Sequence, residues 1–289
     1  MNRISAQATM HGAVSIVNAI GAGKGSALGI SLQTVAEVAV EFGKGHSIRF
    51  LSGKTSDLLI NAIVRKILPP RLLNEGAVTV RVTSEIPIGF GLKSSSAVSN
   101  AVALACSRLA SDQTDDSAVL DAAVSASLEA KVSITGAYDD ACACYYGGIV
   151  TTDNSKRELI HHSDGPDDLY AVILLPRKAS RGEVAKLKVF SDLFEVASDL
   201  AIGGEYWKAM RLNGTLVSAA LSTDYSPTLR ALEAGALSAS VSGNGPSTAA
   251  IVDAQTLPAV KAALSEFDGR VITSKVNNQK ASVELVDNG

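Results

Sequence analysis

Aromatic residues are scarce in this sequence, and neither sign of charge is in excess. Phe, Tyr and Trp together form 4% of the 289 residues, so the core has to be built from aliphatic side chains. Lys and Arg number 26 against 29 Asp and Glu, and no basic stripe of the kind that binds nucleic acid is visible. With 46% hydrophobic and 19% charged residues, the sequence predicts a globular protein and argues against a disordered chain.

Long apolar runs and paired cysteines are also missing. Charged residues, Gly or Pro interrupt every apolar run well short of the ~18 residues that a membrane-spanning helix needs. Cys106, Cys142 and Cys144 are an odd number of cysteines, and no second Cys/His cluster is present to complete a metal site. We therefore expect buried free thiols on helices and a soluble protein in the cytoplasm.

Hydrophobic periodicity in the first half predicts strands that are followed by helices. Alternation over residues 32–42 predicts a strand, and the Gly-Lys-Gly turn after it predicts a hairpin with a second strand at 47–52. A third strand is predicted at 78–82. The predicted helices are 58–67, which Pro69 and Pro70 end, and 95–110, 115–130 and 138–146.

The second half of the chain has a different character. The turn cluster at residues 164–168 predicts a boundary near residue 165, which divides the chain into domains of residues 1–165 and 166–289. The sequence predicts an α+β protein whose second domain holds a small antiparallel sheet. The elements expected there are a strand at 169–175, helices within 190–220, and then helix, strand, turn, strand, helix and strand.

A glycine-rich turn lies between the strand at 78–82 and the helix that begins near Ser95. It reads Pro-Ile-Gly-Phe-Gly-Leu-Lys-Ser-Ser-Ser-Ala over residues 87–97. Glycines let a turn direct its N–H groups inward, and the positive end of the following helix points to the same place, which suits a phosphate. Three serines can cap the helix, donate to phosphate oxygens or place an oxygen on Mg²⁺. The alternative is an ordinary capped helix start, and the density of Gly and Ser favours phosphate binding.

Two further turns carry polar residues. One, at residues 136–141, contains adjacent carboxylates, Asp139 and Asp140, which suit a proton acceptor or a metal ligand. They suit the start of a helix equally well, because the helix dipole favours acids there, and on local grounds this second interpretation is favoured. The other turn, at residues 240–247, fits a glycine hairpin or a backbone surface against a ligand, and its local sequence does not separate the two.

In this order and spacing, the three turns resemble the motifs of the GHMP kinase superfamily, which includes galactokinases and homoserine, mevalonate and phosphomevalonate kinases. Within that superfamily the sequence is most similar to the archaeal-type shikimate kinase family. The similarity spans essentially the whole chain. The segments that carry it are residues 11–19, 23–27, 92–96 and 135–141.

This resemblance implies the two-domain GHMP kinase fold, with an N-terminal domain like domain 2 of ribosomal protein S5 and a ferredoxin-like C-terminal domain. It implies ATP and Mg²⁺ as cofactors and phosphorylation of the 3-hydroxyl of shikimate. The products would be 3-phosphoshikimate and ADP, on the route to chorismate and the aromatic amino acids. The expected partners are therefore ATP and a small-molecule substrate, with no nucleic acid and no membrane.

The same resemblance implies roles for individual residues. Asp139 falls on the catalytic Asp of the superfamily and is a candidate base for the attacking hydroxyl. Ser95 and Glu129 match the Ser and Glu that bind Mg²⁺, and Lys24 and Asp140 are expected near the substrate. The residues expected around ATP are Pro87, Ile88, Gly89, Phe90, Gly91, Leu92, Lys93, Ser94, Ser95, Ser96, Ala97, Gly243 and Gly245.

One departure from the superfamily pattern concerns a lysine. Mevalonate-type members carry it near the N-terminus beside the catalytic Asp, and residues 8–12 of this sequence contain none. Lys24 and Lys93 are the candidates to replace it. The shikimate carboxylate also needs a cation. The candidates, which the sequence does not rank, are Lys24, Arg49, Arg177, Lys178 and Arg181.

Two other functions stay open from the sequence. A homoserine kinase would share the three turns and phosphorylate a different alcohol, although the pair Asp139 and Asp140 and the Gly-Lys-Gly at residues 23–25 favour shikimate. A nucleotide-binding regulator without turnover would keep the fold alone. Such a regulator has no need of Ser95, Glu129 and Asp139 together, so their presence favours an enzyme.

Overall fold

The structure of the protein is a computed structural model that describes residues 3–45, 47–51, 56–133, 135–178 and 182–286. The strands are β1 (Arg3–Val17), β2 (Lys24–Phe42), β3 (Ser47–Phe50), β4 (Gly76–Ser84), β5 (Ile149–Asp153), β6 (Glu158–Ser163), β7 (Tyr170–Pro176), β8 (Ser238–Val241), β9 (Thr248–Val252), β10 (Gly269–Lys275) and β11 (Ser282–Leu285). The helices are α1 (Ala19–Ala22), α2 (Asp57–Ile67), α3 (Pro70–Glu75), α4 (Ser94–Ala110), α5 (Asp116–Glu129), α6 (Tyr138–Tyr146), α7 (Ser191–Ile202), α8 (Tyr206–Leu221), α9 (Ser226–Glu233) and α10 (Leu257–Leu264). A 3-10 helix, Val184–Phe190, precedes α7.

Within the described ranges, the first sheet has seven strands in the order β11-β1-β2-β4-β3, with β5 and β6 added beside β2. Its two long strands, β1 and β2, pair antiparallel with a register shift after His11. The sequence pattern does not predict β1. Residues 10–17 of this strand are all buried, so the run lacks the alternation of apolar and polar residues that identifies a half-buried strand.

The predicted hairpin between residues 32–42 and 47–52 is wrong. β3 pairs with β4 in parallel, and it is β4 that pairs antiparallel with β2. Burial explains this order. Val78 and Val80 make β4 the more apolar strand, which takes the interior position, whereas β3 is half exposed and lies at the edge of the sheet. Residue 52 lies outside the described residues.

α4 is the central helix on the first sheet. Its buried surface is made largely of small side chains, among them Ala97, Ala101 and Ala105, so it can lie close against β1 and β2. α2 and α5 pack on α4, and α6 packs against α4 and both long strands. α3 is not predicted by the sequence, because a Pro at the first position of a helix gives the same signal as a stop. The predicted helices at 58–67, 95–110, 115–130 and 138–146 are confirmed to within one residue at each end.

The second sheet confirms the small antiparallel sheet that the sequence predicts. Among the described residues it has four strands in the order β10-β7-β9-β8. α9 and α10 cover one face, over a core that includes Val172 and Val260. The other face belongs to the main core, to which α8 contributes Met210 and β1 contributes Ile16. The second sheet is therefore joined to the first by a continuous core.

The chain passes from the first sheet to the second between β6 and β7, near residue 165, and β11 then returns to pair with β1. Residues 282–285 consequently belong to the first sheet by pairing. The division into residues 1–165 and 166–289 stays a prediction.

The three cysteines lie on helices as buried free thiols, Cys106 on α4 and Cys142 and Cys144 on α6. Burial raises the pKa of Cys142 to about 12 and also raises the pKa values of the other two thiols. Their thiols therefore stay protonated and are poor nucleophiles. In the part of the chain that the structure describes, no helix has both the length and the apolar character to cross a membrane.

Candidate active site

The three polar turns meet at one cleft of about 380 Å³, which also receives the end of β1. The structure thus brings together segments that are far apart in the sequence. The described lining residues are Ser15, Asn18, Ala19, Ile20, Ile88, Gly89, Gly91, Leu92, Lys93, Ser94, Ser95, Ser96, Ser127, Val132, Ser133, Thr135, Gly136, Ala137, Asp139, Asp140, Gly243, Asn244 and Gly245.

The N-terminus of α4 opens into this cleft. Lys93 precedes the helix in a left-handed conformation with φ 67°, and no side chain of the described residues caps the helix. The first helical hydrogen bond runs from the Ala97 N–H to the Lys93 carbonyl oxygen, at 2.9 Å. Ser95 is exposed in the cleft, whereas Ser94 is nearly buried. An uncapped helix start with exposed hydroxyls can hold an anion, which is the property that the sequence predicts for residues 87–97.

The turn at residues 240–247 is seated directly on the turn before α4. Ser242 Oγ donates to the Gly91 carbonyl oxygen at 2.8 Å, and Ser247 Oγ donates to the Phe90 carbonyl oxygen at 2.6 Å. Gly91 has φ 76°, and a Cβ at this position would overlap the carbonyl oxygen of Ser242. The close approach therefore requires glycine at residue 91. It places Gly243 and Gly245 beside the N-terminus of α4.

Two polar side chains near the end of β1 connect the same walls. Ser15 Oγ accepts a hydrogen bond from the Gly243 N–H at 2.9 Å. Asn18 Nδ2 donates to the Gly243 carbonyl oxygen at 3.0 Å and to Asn244 Oδ1 at 2.9 Å. The sequence motifs do not assign Ser15 or Asn18. The available signal is that both are polar residues inside an otherwise apolar run, and they are buried.

Asp139 lies in the first turn of α6 and is 5% exposed. Asn154 holds it twice: Asn154 Nδ2 donates to Asp139 Oδ1 at 2.7 Å, and the Asp139 N–H donates to Asn154 Oδ1 at 3.1 Å. Thr152 Oγ1 donates to the same Asn154 oxygen at 2.7 Å, which fixes the orientation of the amide. On its other side the carboxylate packs so closely on Gly25 that a Cβ there would overlap it.

Burial and, to a smaller extent, the neighbouring charge of Asp140 raise the pKa of Asp139 to about 6. The ammonium group of Lys93 and the hydrogen bond from Asn154 oppose this shift without cancelling it. A carboxylate with this pKa is ionised at neutral pH and can still accept a proton readily. That is the property of a general base.

Asp140 forms an ion pair with Lys93 across the cleft, with 2.7 Å between Lys93 Nζ and Asp140 Oδ1. The Lys93 side chain is 4% exposed and that of Asp140 is 21% exposed. Lys93 Nζ also donates to Ser15 Oγ at 2.7 Å. Burial alone would lower the pKa of Lys93, but the charges of Asp140 and Asp139 and the hydrogen bond to Asp140 raise it above its ordinary value. Lys93 therefore stays a cation.

Several residues expected at the site do not line the cleft in the part of the chain that the structure describes. Glu129 pairs with Lys66, at 2.7 Å between Lys66 Nζ and Glu129 Oε1, and its side chain is 55% exposed. Glu129 and Lys24 are both outside the described lining of the cleft. Pro87, Phe90 and Ala97 belong to the turn and to α4 without lining it.

The proposed carboxylate-binding cations are also away from the described lining. Arg49 lies on the edge strand β3, and Arg177 pairs with Asp268, at 3.4 Å between Nε and Oδ1. Lys178 is exposed, and Arg181 lies outside the described residues. Among the described lining residues, Lys93 is the one Lys or Arg.

Comparison with known proteins identifies the family. The family described as "GHMP kinases N terminal domain" matches residues 58–148. The shikimate kinase of Methanothrix thermoacetophila is 40% identical over 283 residues, which cover 97% of this chain and 96% of that protein. The shikimate kinase of Methanosarcina acetivorans is 39% identical over 277 residues, which cover 93% of each.

A solved structure shows the same fold. The homoserine kinase from Cytophaga hutchinsonii superposes with a TM-score of 0.75 over 98% of both chains, at 21% identity. The α+β architecture with two sheets is therefore the two-domain GHMP kinase fold that the resemblance implies. With relatives at about two-fifths identity over nearly the full chain, the conclusion extends beyond the fold. The protein belongs to the GHMP kinase superfamily and, within it, to the family of the archaeal shikimate kinases.

Proposed function

We propose that this protein transfers the γ-phosphoryl group of ATP to the 3-hydroxyl of shikimate, giving 3-phosphoshikimate and ADP. One observation carries the proposal: an uncapped helix start, two carboxylates and a buried lysine face the same cleft. Phosphoryl transfer requires a phosphate cradle, cationic groups and a positioned acceptor for the hydroxyl proton, and these residues supply them. The alcohol is taken from the curated relatives, which are named shikimate kinase.

The phosphates of ATP would lie at the start of α4. The N–H groups of its first turn and the hydroxyl of Ser95 supply donors there, and Gly243 and Gly245 close the opposite side. Ile88 and Val132 line the same cleft and are 49% and 40% exposed. Such apolar side chains at the rim suit the flat face of a nucleobase.

The residues in the cleft also fit Mg²⁺. In kinase sites this ion commonly takes one or two protein oxygens and completes its coordination with phosphates and water. The Ser95 hydroxyl and the carboxylates of Asp139 and Asp140, which line the same cleft, provide such oxygens. When bound, Mg²⁺ would neutralise charge on the β- and γ-phosphates. Glu129 remains a proposed ligand, but its carboxylate has to leave Lys66 before it can reach the cleft.

We assign Asp139 as the base. The oxygen of the substrate hydroxyl attacks the γ-phosphorus, the bond to the β–γ bridging oxygen breaks, and the hydroxyl proton passes to the Asp139 carboxylate. Its pKa of about 6 keeps this carboxylate ionised at neutral pH. Asn154 fixes the orientation of the carboxylate, because it both donates to Asp139 Oδ1 and accepts from the Asp139 N–H.

The substrate would lie between α6 and the end of β1. Asp140, Asn18 and Asn244 are the polar side chains there that can bind ring hydroxyls. Lys24 stays a proposed contact for the substrate carboxylate.

A cytoplasmic location is also part of this proposal, and three buried thiols without disulfides agree with it.

The decisive experiment is a coupled ADP-release assay with shikimate and homoserine as alternative alcohols. We expect saturable, ATP-dependent turnover of shikimate and a kcat/KM at least ~10³-fold lower for homoserine, because polar groups placed for a ring triol stay unpaired around a smaller alcohol. Comparable rates on both would reject the substrate and leave only the superfamily. ATP binding without turnover of either alcohol would favour the nucleotide-binding regulator.

A further inference from the structure

Lys93 occupies a backbone position that lysine rarely adopts. Its φ of 67° and ψ of 24° lie in the left-handed region, where a side chain costs conformational free energy and glycine does not. The turn already contains two glycines with positive φ, Gly89 and Gly91, so the chain can use glycine where the backbone requires it. A lysine that persists in this conformation indicates a use for its side chain.

The left-handed conformation directs this side chain back into the cleft. Its ammonium group donates to Ser15 Oγ and pairs with Asp140 Oδ1, both at 2.7 Å. A Cβ on Gly243 would lie 3.3 Å from Lys93 Nζ, so the ammonium also adjoins the turn at residues 240–247. An ammonium group has three N–H donors. Two have partners among the described residues, which leaves one for a ligand in the cleft.

We propose that Lys93 is a catalytic residue whose ammonium group contacts the phosphoryl group during its transfer, with Asp140 and Ser15 as positioning residues. This inference rests on the proposed function. The transferred group carries negative charge on its peripheral oxygens, and a fixed cation in a water-poor site stabilises that charge more than a solvated one does. Lys93 forms no covalent bond and keeps its protons throughout. Lys24, the other candidate from the sequence, lies outside the described lining.

The main test compares Lys93→Gly with Lys93→Cys. Glycine removes the side chain and also suits the left-handed backbone, so loss of activity in Lys93→Gly does not come from a distorted turn. We expect kcat to fall by ~10²–10³-fold in both variants, with the Kd for ATP changing by less than ~10-fold. Thermal melts establish that both variants are folded.

Treatment of Lys93→Cys with 2-bromoethylamine then rebuilds an ammonium group at this position. The three native thiols are buried with raised pKa values and do not line the cleft, whereas residue 93 does, which directs the reagent to the new cysteine. We expect kcat to recover by at least ~10-fold in the treated variant and to stay unchanged in treated wild-type protein. Alkylation with iodoacetamide, which adds a neutral group, should give no recovery.

Two results would overturn the assignment. One is a kcat within ~3-fold of wild type in Lys93→Gly; the other is equal recovery with the neutral and the cationic reagent, which would show that Lys93 only fills space. Hydrolysis of ATP measured without an alcohol tests the role of Lys93 independently of the identity of the substrate. If wild type hydrolyses ATP but does not phosphorylate shikimate, and Lys93→Gly loses the hydrolysis, the substrate is wrong and Lys93 stands. If wild type shows no turnover of ATP at all, both proposals fail.

Discussion

Two helices begin at the cleft with the same backbone geometry and different side chains. α4 and α6 each follow a residue in the left-handed conformation, Lys93 with φ 67° and Ala137 with φ 51°. No side chain of the described residues caps α4, whereas the Asn154 side chain accepts from the Asp139 N–H in the first turn of α6. The first turn of α4 carries three serines and no acid, so its N–H groups and hydroxyls remain for an external anion. The first turn of α6 carries Asp139 and Asp140, so its positive end already faces the protein's own carboxylates.

The comparison shows that a helix start does not by itself decide how an acid behaves. The dipole of α6 favours ionised carboxylates in its first turn. Asp139 nevertheless has a pKa raised to about 6, because burial and the charge of Asp140 outweigh the favourable contributions. The alternative interpretation, that these residues are helix-start acids, is correct about their position in α6. It does not account for the burial of Asp139 or for the ion pair between Asp140 and Lys93.

Asp139→Asn should have the largest effect. It should lower kcat and at the same time raise the stability of the folded protein at neutral pH. We expect kcat to fall by ~10²–10⁴-fold, which is the usual contribution of general-base catalysis. The folded protein holds the Asp139 proton more tightly than the unfolded chain does. The contribution of this group to stability is therefore complete below a pH of about 4 and is lost as the pH rises through about 6. Thermal melts should show Asp139→Asn more stable than wild type at pH 8. The gain in melting temperature over wild type should be smaller at pH 5.

Asp140→Asn is the matched control for Asp139→Asn. Its kcat should fall less, while its free energy of unfolding should drop by about 1–3 kcal/mol, because Lys93 loses its partner in a nearly buried site. Opposite signs of the two changes in melting temperature would separate the two carboxylates. A larger loss of kcat in Asp140→Asn would move the base by one residue, and lowered melting with small rate losses in both would support the helix-start interpretation.

Ser95→Ala tests the anion-binding helix. Ser95 is exposed in the cleft, so we expect an unchanged melting temperature and a kcat lower by ~10²-fold, with a higher Mg²⁺ concentration for half-maximal rate. Steady-state rates over a Mg²⁺ titration provide the measurement. Ser96→Ala is the comparison on the same turn. If Ser96→Ala shows the Mg²⁺ effect and Ser95→Ala does not, the oxygen on the metal belongs to Ser96.

Asn154→Ala should shift the pH dependence more than the maximal rate. The hydrogen bond from Asn154 lowers the pKa of Asp139, so its loss should move the acidic limb of the kcat profile upward from about 6. The loss of kcat at pH 8 should be about 10-fold, through poorer orientation of the carboxylate. Thr152→Val, which removes the hydrogen bond to the Asn154 oxygen, should produce the same shift at smaller size. An unmoved acidic limb in Asn154→Ala would mean that Asp139 does not set it.

Glu129→Gln should be the mildest change. The Lys66–Glu129 pair is exposed, so its loss should alter the free energy of unfolding by less than about 1 kcal/mol. Since this carboxylate must leave Lys66 to approach a metal, we expect only a few-fold rise in the Mg²⁺ concentration for half-maximal rate. Lys66→Ala, which frees Glu129, should not raise it. No Mg²⁺ effect in Glu129→Gln would remove this residue from the metal site, and a loss equal to that of Ser95→Ala would make it a main ligand.

What the sequence predicts well is local. The end of α2 before Pro69 and the starts of α4 at Ser94 and α6 at Tyr138 are recognised from the sequence. Gly, Pro and Ser there interrupt the repeat of apolar residues every 3.6 positions, and each signal lies within a few residues of the helix end that it marks. The three turns of the cleft are likewise contiguous motifs. The relation between these turns is carried by the family resemblance, since no local pattern indicates that they meet.

What the sequence misses depends on distant contacts. The position of β3 outside β4 follows from competition for burial between two strands, and Asn154 reaches Asp139 from 15 residues away. Ser15 meets Lys93 across 78 residues. Lys24 begins β2 and does not line the cleft among the described residues, so its expected contact with the substrate stays a prediction. Partners of this kind are determined by the packed structure and have no signature in a short window.

The return of β11 to the first sheet also bears on the biogenesis of the protein. The ribosome synthesises β1 to β10 before β11. Residues 6–9 of β1 therefore have no partner strand on this edge while α4, α6 and the second sheet emerge. The nascent chain can assemble all the walls of the cleft and still present unpaired backbone donors and acceptors, which invite association with other chains. Once residues 282–285 have left the ribosome they pair with residues 6–9 of β1, and the Val286 N–H then donates to the Ser5 carbonyl oxygen at 2.8 Å. Synthesis of this four-residue strand thus covers the long strand β1 at residues 6–9 and leaves the much shorter strand β11 at this edge of the first sheet.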